Sequence, residues 1–337
     1  MPHEADEQVR TWMGWPAPAE TFGQGDEEAA AAVAAWSGVA NAIVDFQPVT
    51  MLVPADSEPA ARRVLSRRVD IEIAPLDDGW LRDSGPTFVH APDGSVAAVD
   101  WRFNGWGQQP GIPWAEDQHT ARRIAAIAGV PVASSPIVNE GGGIHVDGRG
   151  TVLATRSVQL DPFRNPGLTE ADIEREFART LGVDRVVWLD RGLYRDALTY
   201  GTRGHVDIVA AFPDPRTLLV HDQRAEEHPD ADIMRGVMDV LEAAVDADGE
   251  PYRTVRVPAP ETLRDEEGFV DYSYINHTPV TGGVIACAFG DPNDAVAVEI
   301  LAEVYPGREI VAVDARPIFA RGGGIHCITQ NQPAPLS

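Results

Sequence analysis

The chain contains two thiols, Cys287 and Cys327, in unlike surroundings. Cys287 lies inside the apolar run Val284-Ile-Ala-Cys-Ala-Phe289 and reads as a small buried hydrophobe. Cys327 follows three glycines in Arg321-Gly-Gly-Gly-Ile-His-Cys-Ile-Thr-Gln330. Glycines carry no side chain and accept positive φ, so such a segment can bring backbone close to a ligand and set the following thiol at the mouth of a pocket. A free thiol titrates near ~8.5 and attacks only once a cation, a helix end or the substrate itself favours the thiolate. Cys327 is the candidate nucleophile. His205 and Asp207 stand two apart, so a strand beginning at His205 would put both on one face, a histidine for acid and base work with a carboxylate beside it. Glu140 precedes glycines in Asn139-Glu-Gly-Gly-Gly143, where small neighbours leave a carboxylate accessible. Asp83 lies in Trp80-Leu-Arg-Asp-Ser-Gly-Pro86, with Trp80 as an aromatic wall for a flat cation.

Each of these groups alone is common in turns. Together they make a set of one thiol, one or two histidines and several carboxylates, which does not suit an anionic substrate. A planar guanidinium fits it, because two carboxylates can each accept paired N–H donors while holding the carbon in line with sulfur. Such a cation also favours the thiolate electrostatically.

Composition narrows the field further. The formal charge is -25, from 27 basic against 52 acidic residues, and every basic residue apart from the histidines is arginine. A chain without lysine cannot use a Schiff base, bind pyridoxal phosphate covalently or build a P-loop. The acidic surface repels phosphate backbones and anionic lipid, which argues against nucleic-acid and membrane partners and for a small cationic one. Two cysteines are too few for a disulfide framework or a four-thiolate metal site. A metal centre could be assembled in kind from His145, Asp147, His205 and Asp207, but the thiol-based reading needs neither metal nor cofactor. Trp101, Trp106 and Trp114, with no basic residues interleaved for nucleic-acid stacking, read as core packing. The charged first ten residues lack the apolar core of an export signal, no stretch approaches 18 apolar residues, and the expected location is the cytoplasm.

The elements that must position these groups alternate along the chain. Apolar periodicity predicts helices near 27–40, 118–128, 169–181, 231–245 and 293–304. Short Val-, Ile- and Leu-rich runs predict strands at 49–53, 70–74, 86–90, 96–99, 150–154, 185–189, 206–212, 217–221, 252–257, 283–289 and 309–313. The pentapeptide Gly-Gly-Gly-Ile-His occurs at 141–145 and again at 322–326, and His-Val-Asp recurs at 145–147 and 205–207. Recurrent segments imply repeated units presenting equivalent loops to one place. A ring of about five strand-strand-helix-strand modules, or a two-fold duplicated sheet, would satisfy the pattern. No linker divides the chain, so residues 1–337 are expected to form one catalytic domain.

Several segments carry a resemblance that runs almost end to end: Thr11-Trp-Met-Gly-Trp-Pro16, Trp80-Leu-Arg-Asp-Ser-Gly-Pro-Thr-Phe-Val89, Phe103-Asn-Gly-Trp106, Asn139-Glu-Gly-Gly-Gly-Ile-His-Val-Asp-Gly148, Arg164-Asn-Pro166, Gly204-His-Val-Asp207, Phe289-Gly-Asp291 and Gly322-Gly-Gly-Ile-His-Cys-Ile-Thr-Gln330. In this order the chain resembles the agmatine deiminase and bacterial-type peptidylarginine deiminase family of the guanidino-group modifying (pentein) superfamily. The resemblance implies an α/β fold, a five-bladed α/β propeller of ββαβ modules around a central cavity, with no metal and no cofactor. It implies Cys327 as nucleophile, His205 and Glu140 as the acid-base pair, and Asp83 and Asp207 as guanidinium anchors, with Trp80 and Gly324 also touching the substrate. Agmatine hydrolysis to N-carbamoylputrescine and ammonia is the first expectation, with another guanidino compound or amidino transfer as alternatives, and assembly into a homo-oligomer is left open. The chain departs from the family pattern at Ile208, where Asn is usual, at His277 and Thr278, where two aromatics are usual, and at Thr155-Arg-Ser-Val158. These departures bear on the substrate rather than on the reaction.

Overall fold

A computed structural model describes residues 1–16 and 26–336. Five sheets in it share one construction: an antiparallel strand pair, a helix, and a third strand parallel to the second. The second to fifth of these units run in chain order. Thr87–His90 and Val96–Arg102 are joined through helix Thr120–Ala128 to Val132–Val138. Ile144–Val146 and Thr151–Thr155 lead through Glu170–Leu181 to Arg185–Leu189. Ala210–Asp214 and Thr217–Asp222 lead through Pro229–Glu242 to Arg253–Pro258. Thr278–Val280 and Gly283–Ala288 lead through Asn293–Val304 to Glu309–Asp314. The first unit is built from both ends of the chain: Thr329–Pro333 pairs antiparallel with Gln8–Gly14, and helix Asp26–Ile43 leads to Val49–Val53, flanked by Val69–Ile73. A parallel pair needs a crossover, and an amphipathic helix supplies it while covering one face of the sheet.

Local sequence explains why the helices form where they do. Helix Glu170–Leu181 starts at a capping box in which Thr169 and Asp172 satisfy each other's backbone N–H, and it stops at Gly182 in the left-handed region. Ile173, Phe177 and Leu181 repeat at helical spacing and are buried in a core with Trp101, Ile144 and Val152. Among the described residues no helix is long and apolar enough to cross a membrane.

The five long helices and most of the strands agree with the apolar periodicity, but seven described strands do not show in it: Gln8–Gly14, Val132–Val138, Ile144–Val146, Thr278–Val280, Thr329–Pro333 and the two-residue strands of the hairpin Arg264–Asp265 and Gly268–Phe269. Four of these seven pair antiparallel inside their units, and Thr329–Pro333 is polar yet fully buried, with Gln332 accepting from the Trp12 indole at 2.9 Å. Buried amides that are hydrogen-bonded can replace apolar side chains, so alternation of polarity no longer marks the strand. The strand expected over 206–212 is also corrected. Val206–Ile208 is a 3-10 turn and the strand is Ala210–Asp214, so His205 and Asp207 are brought together by a turn and not by a shared strand face.

That turn is held by one carboxylate. Asp196 accepts from Thr202 N at 2.6 Å, Gly204 N at 2.7 Å and His205 N at 3.1 Å, and from the Thr202 hydroxyl. Asp196→Ala strips acceptors from buried N–H groups that cannot reach water. The expected loss is about 3 kcal/mol, since an orphaned buried donor costs ~1–3 kcal/mol, read as a lowered denaturation midpoint with an unchanged urea m-value.

Candidate active site

Every unit delivers its chemistry from the same place, the segment just before its first strand. Asp83 precedes Thr87–His90, Glu140 precedes Ile144–Val146, His205 and Asp207 precede Ala210–Asp214, Asn276 precedes Thr278–Val280, and Cys327 precedes Thr329–Pro333. The repeated pentapeptide marks two of these equivalent positions, which accounts for its recurrence.

The groups converge at Gly142. A Cβ there would lie 2.5 Å from His205 Nδ1 and 3.0 Å from the nearest oxygens of Asp83 and Asp207. The backbone at 141–143 has no positive φ, so glycine is required for close approach, not for conformation. Gly142 N donates to Asp83 Oδ1 at 3.0 Å. In the second copy only Gly322 has a positive φ, +107°, and a Cβ on Gly323 would lie 3.0 Å from the Cys327 sulfur.

Cys327 is buried and its sulfur lies 3.5 Å from Asp207 Oδ2. Asn276 Nδ2 donates to that sulfur at 3.3 Å. Burial pushes the thiol well above its ordinary value and the carboxylates of Asp207 and Asp83 push it the same way, against N–H donation from Gly324. The resting side chain is a thiol. Burial alone would lower the pKa of His205, but Asp83, Glu140 and Asp207 outweigh it and raise the pKa to about 9. Its Nε2 lies 3.2 Å from Glu140 Oε2, its Nδ1 lies 3.7 Å from Asp83 Oδ1, and Nδ1 has no hydrogen-bond partner among the described residues. Glu140 is completely enclosed, which would favour its acid form, but Arg164 donates to it at 2.9 and 3.1 Å and holds its pKa at about 2. Burial lifts Asp83 to about 6, opposed by His205 and assisted by Asp207 and Glu140, while Trp106 Nε1 donates to its Oδ2 at 2.8 Å. Asp207 Oδ2 accepts from His326 Nδ1 at 2.7 Å, and its Oδ1 has no hydrogen-bond partner among the described residues. That hydrogen bond and the charge of His326 carry its pKa below the usual range against the effect of burial.

A pocket with about 330 Å³ of empty volume opens onto Cys327, lined by Trp80, Asp83, Trp106, Gln109, Tyr200 and Arg321 among others. Trp80, Asp83 and Cys327 were expected here, and Glu140, His205 and Asp207 stand directly behind. Gly324 does not line the pocket. Its Cα faces Asn276 and Phe319, and only its N–H reaches the sulfur. Trp106 is packed in the core as expected, and it also forms a pocket wall that orders Asp83. It sits in four successive residues of positive φ, 105–108, with Trp106 itself at 52°. A left-handed conformation costs a non-glycine residue ~1–2 kcal/mol, and such strain persists where the surroundings over-determine it. The metal set also falls: Asp147 spends its oxygens on Arg149 N, Thr151 N and the Tyr252 hydroxyl, away from His205 and Asp207. Ile208 and His277 are buried and do not line the pocket, and both His277 nitrogens are engaged by Tyr274 O and Tyr305 Oη, so these departures do not shape it. Thr155 instead anchors the His205 loop, donating to Gly204 O at 2.7 Å.

Sequence reasoning missed Asn276, Arg164, Glu4 and His326 as parts of the site. Arg164 and His326 lay in quoted motifs, and Asn276 occupies the equivalent position in the fifth unit, a signal available once the units are aligned.

The fold and this enclosed thiol, imidazole and carboxylate cluster place the chain among the agmatine deiminase-like α/β proteins. Residues 1–333 match the Porphyromonas-type peptidyl-arginine deiminase family, and the chain belongs to it. A Streptomyces coelicolor protein provisionally named an agmatine deiminase is 52% identical over 99% of this chain and 98% of its own length. The agmatine deiminase of Stutzerimonas stutzeri is 38% identical over 100% of this chain and 96% of its own. The solved structure of Enterococcus faecalis agmatine deiminase superposes with a TM-score of 0.92 at 31% identity, covering 100% of this chain and 96% of that one.

A raised thiol in a closed anionic cluster has a direct consequence for reactivity. Alkylation of Cys327 by iodoacetamide in the resting protein is expected to be slow at pH 7 and to climb about tenfold per pH unit through pH 9 without a plateau, because the thiolate fraction grows by that factor below the pKa. Peptide mapping of the alkylated protein would report it. A plateau near pH 7 would show an ion pair with His205 instead.

Proposed function

We propose that the chain hydrolyses a guanidine to a ureido product and ammonia, with Cys327 as the nucleophile and agmatine as the substrate. The observation that carries the reading is the convergence at Gly142 of His205 Nδ1 and the carboxylates of Asp83 and Asp207, with the Cys327 sulfur 3.5 Å from Asp207. The names of the relatives support agmatine, whose hydrolysis gives N-carbamoylputrescine. The same proposal takes the five equivalent units as the blades of a propeller around this site, and takes a small cationic guanidino compound as the partner.

The resting cluster is charge-balanced. Its carboxylates Glu4, Asp83, Glu140 and Asp207 face the cations Arg82, Arg164, His205 and His326. Entry of a guanidinium adds one positive charge to a low-dielectric space, and release of the Cys327 proton to solvent through the pocket mouth restores the balance. Asp83 and the free Oδ1 of Asp207 accept guanidinium N–H groups and hold the carbon planar beside sulfur, an orientation effect worth ~7 kcal/mol at its best. The thiolate adds to the carbon, forming a C–S bond and a neutral tetrahedral adduct. The His205 imidazolium gives its Nδ1 proton to one nitrogen, the C–N bond breaks, ammonia leaves, and a cationic S-alkylthiouronium remains. Neutral His205 then removes a proton from water as the oxygen adds to the carbon. The C–S bond then breaks as the hydroxyl proton of the adduct passes to the sulfur, releasing the ureido product and regenerating the Cys327 thiol. Glu140, fixed by Arg164, holds His205 through Nε2 and so leaves Nδ1 for both proton transfers.

A second reading has one observation in its favour. Arg321 stands on the pocket wall beside Tyr200 and Gly322, where it would repel the distal ammonium of agmatine and welcome a carboxylate, as in an arginine derivative.

Two measurements test the proposal. Ammonia release from agmatine, free arginine, a C-terminal arginine peptide and shorter guanidinoalkyl amines is expected to favour agmatine and to vanish in Cys327→Ala, with thermal melting retained. Turnover of arginine compounds alone would select the second reading, and a requirement for an amine acceptor would make the chain an amidinotransferase. The kcat/KM profile for the preferred substrate is expected to be bell-shaped. It rises through about pH 6 as Asp83 ionises to hold the cation and falls through about pH 9 as His205 loses the proton that the leaving nitrogen needs.

A further inference from the structure

Glu4 belongs to the first residues of the chain, yet it is buried beside the site. Arg82 Nη1 donates to its Oε1 at 2.9 Å, and His326 Nε2 lies 3.2 and 3.0 Å from its two oxygens. The other nitrogen of the same ring, Nδ1, lies 2.7 Å from Asp207 Oδ2. With a carboxylate on both sides, each ring nitrogen must carry a hydrogen to satisfy its partner, and a ring with two N–H groups is an imidazolium. The other groups around it agree. Arg82 sits on Glu4, and its Nε donates to His326 O at 3.3 Å. His145 stacks on His326 with ring centroids 6.0 Å apart, accepts from Phe212 N through Nδ1, and is pushed by burial down to about 3, so it stays neutral. His277 is likewise neutral, pushed by burial to about 4. His326 thus keeps the positive charge among these three imidazoles. Glu4, His145 and His326 bring ligand-type atoms within 4.8 Å of one another, but the oxygens of Glu4 and both nitrogens of His326 are already engaged.

We propose that His326, held as an imidazolium between Glu4 and Asp207, is a positioning residue that clamps Oδ2 of Asp207 so that Oδ1 faces the guanidine. The clamp also keeps Asp207 from accepting the proton of Cys327, 3.5 Å from the same Oδ2. A carboxylate rotated by the loss of its partner would present the wrong oxygen to the substrate, and a neutral His326 would leave Asp207 and a nascent thiolate as adjacent buried anions. Glu4 acts one step further out, by keeping His326 charged. The amino-terminal segment is then a working part of the catalytic centre.

The inference rests on the guanidine deiminase reading for its kinetic readout but not for its structural one. Histidine-selective ¹⁵N NMR of the resting wild-type protein at pH 7.5 is expected to show His326 with both ring nitrogens protonated, and a neutral His326 overturns the clamp without any variant or substrate. In Glu4→Gln, removal of the anion lowers the pKa of His326, so the alkaline limb of kcat/KM moves to lower pH. In His326→Leu, which removes the donor toward Asp207 and cannot titrate, that limb stays where His205 sets it, while KM rises by roughly 10- to 100-fold from misplacement of the anchor. Superimposable profiles for wild type and Glu4→Gln, or a fall in kcat that tracks lost thermal stability with KM and pH profile unmoved, would reduce both residues to packing. If the wild type turns over no guanidine while His326 is cationic, the deiminase reading fails and the Glu4–His326–Asp207 assembly stands as structure without that role.

Discussion

Burying several carboxylates around one thiol is the constraint on which the site depends. An isolated carboxylate in a closed interior would be driven to its neutral form, and each unpaired charge is costly. The chain answers with a dedicated cation for most of them: Arg164 for Glu140, Arg82 and His326 for Glu4, His326 for Asp207. These pairs contribute little net stability, because desolvation offsets most of their attraction. What they fix is which oxygen points where. Glu140 is so firmly paired that it can only orient His205, and Asp207 has one oxygen committed and one open.

The fold serves this constraint by repetition. Each unit begins with a short buried strand, and the residue delivered just before it is a different chemical type in each unit: carboxylate, carboxylate, imidazole with carboxylate, amide, thiol. Glycine occupies the points where these segments meet, since a single methyl at Gly142 or Gly323 would fill the space that the reacting atoms need. Closure of the first unit by Gln8–Gly14 and Thr329–Pro333 brings the two ends of the chain together, and it thereby sets Glu4 and Cys327 in the same neighbourhood.

Much of this was legible in the sequence and some was not, for physical reasons. Cys327, His205, Glu140, Asp83 and Asp207 stand in glycine-rich or turn-forming contexts that mark exposed chemistry, and the structure brings them together. The amphipathic helices announce themselves by spacing, as Ile173, Phe177 and Leu181 do. Three of the first strands, Ile144–Val146, Thr278–Val280 and Thr329–Pro333, do not, because they are buried throughout and too short or too polar to alternate. Arg164 and Glu4 act through ion pairs distant in the chain, and no local pattern reports a partner 24 or 78 residues away. Trp106 was half legible for a related reason: its place in the core is what its sequence context foretold, but its indole N–H also reaches Asp83, which depends on the left-handed turn at 105–108.

Asp83 is the exception among these carboxylates. Among the described residues its ion-pair partner is His205, at 3.7 Å and shared with Glu140, and burial leaves its pKa at about 6. A carboxylate that shares its cation in this way is the one that an incoming cation stabilises most. On the proposed reading the same arrival unbalances an otherwise neutral cluster and so lowers the cost of ionising Cys327, which makes substrate binding and nucleophile activation one electrostatic event. On that reading a neutral molecule of the same shape would leave Cys327 a thiol, so selectivity for a cation would follow from the charge of the site as well as from its outline.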